Sequence, residues 1–308
     1  MNDYSGRNRM WRILTPLLIY WGINMMLAPV IATSFILARQ RVLEIQSAMV
    51  GQEVTLEQLM NIQNQALSGD TGELTQSIME FTPYIVVFGA FLTLIYSVIA
   101  FWKDRKHEIE EGMLVKIAPK IWQYSIIIGL AIAVCVGLNF LLLTLQMAFP
   151  TLRYSQIAST AIFSAPFWFQ ILGFGVITSV AEEYLFRGLI FKRYRETGGF
   201  VRSMILSSLV FAIVHSNLVQ FIYAFALGAL CAYVYEKFGT LKAPIALHIV
   251  ANLTALAFTQ FGVFRWFFEI PARVGVAVVL AAFIGSSLVV LLRSVQFSSE
   301  VMENKETS

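Results

Sequence analysis

Apolar residues run along this chain in long stretches, not in the alternating or one-sided patterns of strands and helices that face water. Stretches at 13–38, 82–102, 121–148, 166–191, 218–235, 243–262 and 273–292 are each about as long as the roughly 20 residues a helix needs to cross a hydrocarbon core about 30 Å thick. A further stretch, 203–216, holds about 14 residues, or about 21 Å of helix at about 1.5 Å per residue. It predicts a helix that spans only part of the bilayer or stops at a protein-lined cavity. The pattern therefore predicts an all-α, polytopic membrane protein of about eight transmembrane helices.

Composition agrees with this reading. Of the 308 residues only 13% are charged, and the mean hydropathy is +0.70. A soluble domain carries about 25% charged residues, so this chain cannot cover a water-facing surface and its solvent is partly lipid. The net charge of +3 is small, no basic stripe with interleaved aromatics is evident, and no nucleic-acid partner is expected. Cys135 and Cys231 both sit in apolar runs and read as small buried hydrophobes, not as a disulfide or a thiolate metal site. Arg7, Arg9 and Arg12 precede the first run, as in a signal peptide. That run is too long for a signal segment and lacks a small-x-small cleavage site, so it predicts a retained first membrane helix.

The connections set the orientation. With eight segments both ends lie on one side, and that side carries sixteen Lys and Arg against five on the other, with Arg187 left inside a helix. Both termini are expected in the cytoplasm, with the cell membrane as the expected location. The long connection 39–81 then faces outward. It carries helix-start signals at Thr55 with Gln58 and at Asp70 with Glu73, which predict short amphipathic helices at the outer surface. The tail after Ser298 is expected to fray.

Charges inside apolar helices carry the chemistry, because each costs a few kcal/mol or more to place there. The fourth segment contains Glu182, Glu183 and Arg187. Glu183 and Arg187 are four apart, on one helix face, with the acid N-terminal in the better order. Glu182 points about 100° away and is left for another partner. The short fifth segment places Phe211 and His215 four apart, and the seventh places His248 and Asn252 four apart. Two of the chain's three histidines thus lie in membrane segments. Distances along each helix to the flanking Lys192, Arg202 and Lys242 are about 15, 20 and 9 Å, so Glu182, His215 and His248 are expected to meet in one polar cavity. A buried ion pair with a spare carboxylate is the purely structural alternative.

The series E-E-x-x-x-R, F-x-x-x-H and H-x-x-x-N, on separate membrane helices in this order, resembles the CPBP family of CAAX-prenyl proteases and bacteriocin-processing (ABI) proteins. The matching residues are Glu182, Glu183 and Arg187, Phe211 and His215, and His248 and Asn252. The resemblance covers about 165–260 and implies an intramembrane endopeptidase acting on a membrane-associated peptide or lipidated protein, either CAAX-type or bacteriocin processing. The chain is expected to divide into N-terminal membrane helices with the outer loop 39–81 (1–120), a CPBP-like catalytic helical core (121–293) and a cytoplasmic tail (294–308).

Peptide hydrolysis needs an activated water and a stabilised oxyanion. Glu182 with His215 is expected to hold and deprotonate the water, with His248 and Asn252 as oxyanion donors and Glu183, Arg187 and Phe211 in support. No cofactor is then required. A zinc ion held by Glu182, His215 and His248 is the alternative, although the helical H-E-x-x-H signature is absent. The competing class is a non-proteolytic membrane scaffold, or an immunity or regulatory partner, that uses the same cluster for binding. A transporter would show paired broken helices in repeated halves, and no repeat is present. The orientation is checked by cysteine-accessibility labelling of engineered cysteines at Ser5, Ser68 and Ser308. Positions 5 and 308 are expected to label from the cytoplasm and position 68 from the opposite side; cytoplasmic labelling of position 68 refutes it.

Overall fold

The computed structural model of the protein describes residues 10–27, 71–110, 115–117, 119–148, 163–215, 217–295 and 299–301. The described residues form helices α1 (10–27), α2 (Thr71–Glu110), α3 (Gln123–Ala148), α4 (167–195), α5 (Phe200–Ile213), α6 (Leu218–Phe238), α7 (Lys242–Gln260), α8 (Val263–Phe268) and α9 (Pro271–Ser294). Five helical segments are long and apolar enough to cross a membrane: Phe81–Glu110, Gln123–Gln146, Leu218–Phe238, Lys242–Gln260 and Pro271–Ser294. Helix α5 is apolar but short, as expected. The fold is an all-helical, polytopic membrane protein.

The exposed surface identifies its solvent. On α9 the outward positions are Val276, Val279, Leu280, Phe283 and Ile284, and Phe283 is 70% exposed. A helix packed on one side only would carry polar residues there if it met water. Its small inward residues, Ala277, Ala281 and Gly285, turn to the bundle, where α9 packs on α3. Helix α3 also packs on α7, α5 pairs with α6, and α2 lies along α4. One apolar core forms between α3, α6 and α7 around Ile127, Leu130, Leu227, Val234 and Leu247. A second forms around Phe101, Leu185, Phe186, Leu189 and Phe211.

Two features depart from the sequence reading. Helix α2 is continuous from Thr71 through Glu110, so no break separates the outer connection from the membrane span near residue 81. Its start coincides with the Asp70–Glu73 signal, and Pro83 inside it does not end it. The Thr55–Gln58 signal and residues 28–38 lie outside the described residues. The second departure is a two-stranded antiparallel ribbon, β1 (Val115–Ile117) with β2 (Ser299–Val301), that pairs the α2–α3 connection with the tail expected to fray. Pairing satisfies backbone groups that a frayed tail would leave to water.

The Lys- and Arg-rich ends of α1, α2 and α4 are joined by ion pairs. Arg12 binds Glu196 at 2.8 Å, Arg193 binds Asp104 at 2.9 Å, and Lys192 binds Glu108 at 2.7 Å. Arg193 also donates to the Arg12 carbonyl. Between α6 and α7 the chain reverses at Gly239, whose φ of +61° places it in the left-handed region, with its N–H on the Tyr235 carbonyl at 2.9 Å.

Helix α4 is wound unusually. It has π-helical stretches at Ile171–Thr178 and Glu183–Phe191, with a short α-helical turn, Ser179–Glu182, between them. The first stretch is gripped by neighbours. A Cβ at Gly173 would lie 2.5 Å from Val87 Cγ2 of α2, and one at Gly175 would lie 2.5 Å from Leu253 Cδ2 of α7. Val87 is β-branched and stiff, whereas Leu253 can turn its far end away. Gly173→Ala is therefore expected to lower stability, because overpacking of about 1–3 kcal/mol exceeds a helix-propensity gain of at most about 1 kcal/mol. Thermal unfolding in detergent measures this. Val87→Ala in the same chain should restore most of the loss; a loss unchanged by Val87→Ala would rule out the steric cause.

Candidate active site

The α-helical turn between the two π stretches of α4 sets Glu182 and Glu183 against α7. Glu183 is fully buried, at 0% exposure, and one of its oxygens serves two helices. Glu183 Oε1 accepts from Arg187 Nη1 at 2.9 Å and from His248 Nδ1 at 2.7 Å. The expected Glu183–Arg187 pair is present, and His248 is a second partner that helix spacing alone does not reveal. Because a carboxylate oxygen accepts, Nδ1 carries the proton and the other ring nitrogen faces away from Glu183. That nitrogen, His248 Nε2, lies 3.6 Å from Glu182 Oε2. This is longer than a direct hydrogen bond and is a spacing at which one water can touch both groups.

Glu182 keeps 17% of its side chain exposed, whereas Arg187 keeps 1%. The two adjacent carboxylates thus divide into a locked one and an accessible one. Tyr20 of α1 lies within electrostatic reach of Glu182 and packs edge-on to Phe186.

Phe211 of α5 occupies the centre. The Arg187 guanidinium sits 4.6 Å over its ring, and the rings of His215 and His248 lie 4.9 and 6.0 Å from it, both near perpendicular. A face-on cation and edge-on rings match the negative face of an aromatic ring. His215 follows the end of α5, and its Nδ1 lies 2.8 Å from the Phe211 carbonyl. A carbonyl only accepts, so this nitrogen donates and Nε2 is left free for another partner. Among the described residues no ion pair joins His215 to a carboxylate, while Glu182 lies beside His248.

Asn252 lies one turn beyond His248 on α7, but its amide is engaged. It donates to the Phe174 carbonyl at 3.2 Å and to Ser179 Oγ at 3.0 Å, while Ser179 Oγ donates to the Gly175 carbonyl at 2.8 Å. Both amide hydrogens tie α7 to the wound part of α4, where the expected oxyanion role would need one of them free.

Sequence reasoning missed three residues here. Cys231 of α6 is buried beside Glu183 and His248, Gly228 lies one turn earlier, and Ser208 of α5 faces them. A Cβ at Gly228 would lie 3.1 Å from Arg187 Nη2, 3.1 Å from Phe211 Cδ1 and 3.2 Å from Ser208 Cβ. The series Ala224, Gly228, Cys231 and Ala232 is all buried, and its small side chains let α6 approach the ion pair. That spacing was the available signal.

The expected zinc ligands do not converge. Among the described residues, the group whose ligand atoms all lie within 4.8 Å of one another is Glu183, Cys231 and His248, not Glu182, His215 and His248. The expected set does not fit one ion in this geometry.

Residues 163–254 match the family described as type II CAAX prenyl endopeptidase Rce1-like. This segment holds every residue of the three motifs, and the resemblance to the CPBP family is shown for it. The chain is also similar to the Bacillus subtilis (strain 168) protein named "Putative membrane peptidase YdiL", with 29% identity over 83 residues. That similarity covers 27% of this chain and about a third of the relative's length. No solved structure matches the chain.

The buried pair yields a stability prediction. Glu183→Ala leaves Arg187 charged and unpaired inside the bundle and is expected to cost about 3–5 kcal/mol. The double variant Glu183→Leu with Arg187→Met removes both charges and should be more stable than Glu183→Ala. Thermal unfolding in one detergent compares them, and a double variant no more stable than the single one would remove the buried-charge explanation.

Proposed function

We propose that the protein is an intramembrane endopeptidase that hydrolyses a peptide bond of a membrane-associated peptide or protein with a water activated by Glu182. The observation that carries this reading is the accessible Glu182 carboxylate 3.6 Å from the Nε2 of a histidine locked by Glu183. An accessible carboxylate held beside a locked imidazole supplies the base that hydrolysis needs.

In the proposed reaction a water held between Glu182 and the free Nε2 of His215 gives a proton to Glu182. Its oxygen bonds to the scissile carbonyl carbon, and the carbonyl oxygen becomes an oxyanion. His248 stabilises that oxyanion from Nε2. Glu182 then returns the proton to the leaving nitrogen as the carbon–nitrogen bond breaks. Donation from Nε2 uses the doubly protonated ring in this proposed step, since Nδ1 is already committed to Glu183. Asn252 and Ser179 act as positioning residues, fixing α7 on α4 so that His248 meets both glutamates.

The Rce1-like match and the site's location among helices apolar enough to cross a membrane support a membrane-associated peptide or protein as the substrate class. CAAX-type removal of a C-terminal peptide and processing of a bacteriocin-like peptide both present a flexible peptide at a membrane surface. Eight membrane segments, both termini in the cytoplasm and placement in the cell membrane complete the reading, on the asymmetry of Lys and Arg.

The test compares cells producing equal amounts of the wild-type protein or Glu182→Ala. Quantitative mass spectrometry of membrane-protein termini is expected to find new termini only with the wild type. Thermal unfolding of the purified variant should match the wild type, since Glu182 has no ion-paired arginine to strand. Identical termini in the two samples, together with a biological phenotype that survives Glu182→Ala, would instead support a non-proteolytic scaffold or immunity partner.

A further inference from the structure

We propose that Glu183, Cys231 and His248 form a second, inhibitory site for a thiophilic divalent cation such as Zn²⁺. A sulfur, an imidazole nitrogen and a carboxylate oxygen are the donor types zinc prefers, and here all three lie within 4.8 Å of one another. All three residues are buried, so the ligands are already withdrawn from water. An independent observation points to the same spot. Glu183 Oε1 holds Arg187 and His248, but the buried Oε2 has no hydrogen-bond partner among the described residues. An unpartnered carboxylate oxygen inside a protein is costly and accepts a cation readily. Cys231 lies 3.9 Å from the Pro244 carbonyl and its thiol also interacts with Glu183, contacts that a bound cation would replace.

Binding requires the Cys231 thiol and the Nδ1 of His248 to give up their protons. A cation on Nδ1 replaces the hydrogen bond that orients His248 on Glu183. On the proposed function this disturbs a residue of the reaction site, which is the effect of a reversible inhibitor.

The binding test does not need the peptidase reading, since it uses no substrate. The full-length protein is purified metal-free in detergent and titrated with Cd²⁺ alone. One ion per chain is expected, with a thiolate-to-cadmium charge-transfer absorption in the ultraviolet. Cys231→Ser should lose the absorption and bind at least about 10-fold more weakly, whereas Cys135→Ser should keep both. Absorption that persists in Cys231→Ser, or that disappears in Cys135→Ser, overturns the assignment. X-ray absorption at the zinc edge on wild-type protein loaded with one equivalent of Zn²⁺ serves if Cys231→Ser does not fold. One sulfur among nitrogen and oxygen neighbours is expected, and a shell without sulfur overturns the proposal.

Discussion

One carboxylate oxygen, Glu183 Oε1, receives hydrogen bonds from two helices at once. The energetics of the bundle's centre depend on it. A buried guanidinium is tolerable only when it is neutralised and hydrogen-bonded, and Glu183 does this for Arg187 while accepting a second hydrogen bond from His248. The surrounding sequence then has to admit that polar knot. Helix α6 presents Gly228 and Cys231, and α5 presents Phe211, whose ring takes the guanidinium on its face. Because Glu183 is committed inward, its neighbour Glu182 is turned to a partly exposed position without any further device.

The winding of α4 belongs to the same problem. A π-helical stretch leaves its carbonyls poorly matched to the usual ladder, and side chains here satisfy them. Thr178 donates to the Gly173 carbonyl, Ser179 to that of Gly175, and Asn252 to that of Phe174. Helix α7 thus meets α4 twice, through His248 at the charged turn and through Asn252 one turn further along. Two polar contacts on one helix face fix rotation as well as distance, which an apolar contact alone does less sharply.

Much of this was legible in the sequence. Long apolar runs fixed the helical class, because hydrocarbon tolerates few other backbones. Spacing of four brought Glu183 to Arg187, because that contact lies within one helix. The motifs on separate helices pointed to one cluster, because isolated charges are too costly in lipid. What was not legible is which partner each side chain takes across helices. His248 lies beside Glu182, and Asn252 turns to Phe174 and Ser179; both depend on helix rotation, which apolar patterning leaves open when helices are apolar all round. Cys231 was hidden for a related reason, since its neighbours in sequence are those of an ordinary buried hydrophobe. The ribbon between Val115–Ile117 and Ser299–Val301 joins segments far apart in sequence, and no local signal marks such a pairing.

The brevity of α5 has a consequence for the membrane itself. Its 14 residues span about 21 Å, against a hydrocarbon core of about 30 Å. Helices α6 and α9, with 21 and 24 residues, match the full thickness. A bundle with one short wall imposes a hydrophobic mismatch on one flank only. Lipid beside α5 must tilt or thin, at fractions of a kcal/mol per Å, while lipid elsewhere is undisturbed. Lipid deformation is therefore expected along α5, the helix that leads to His215.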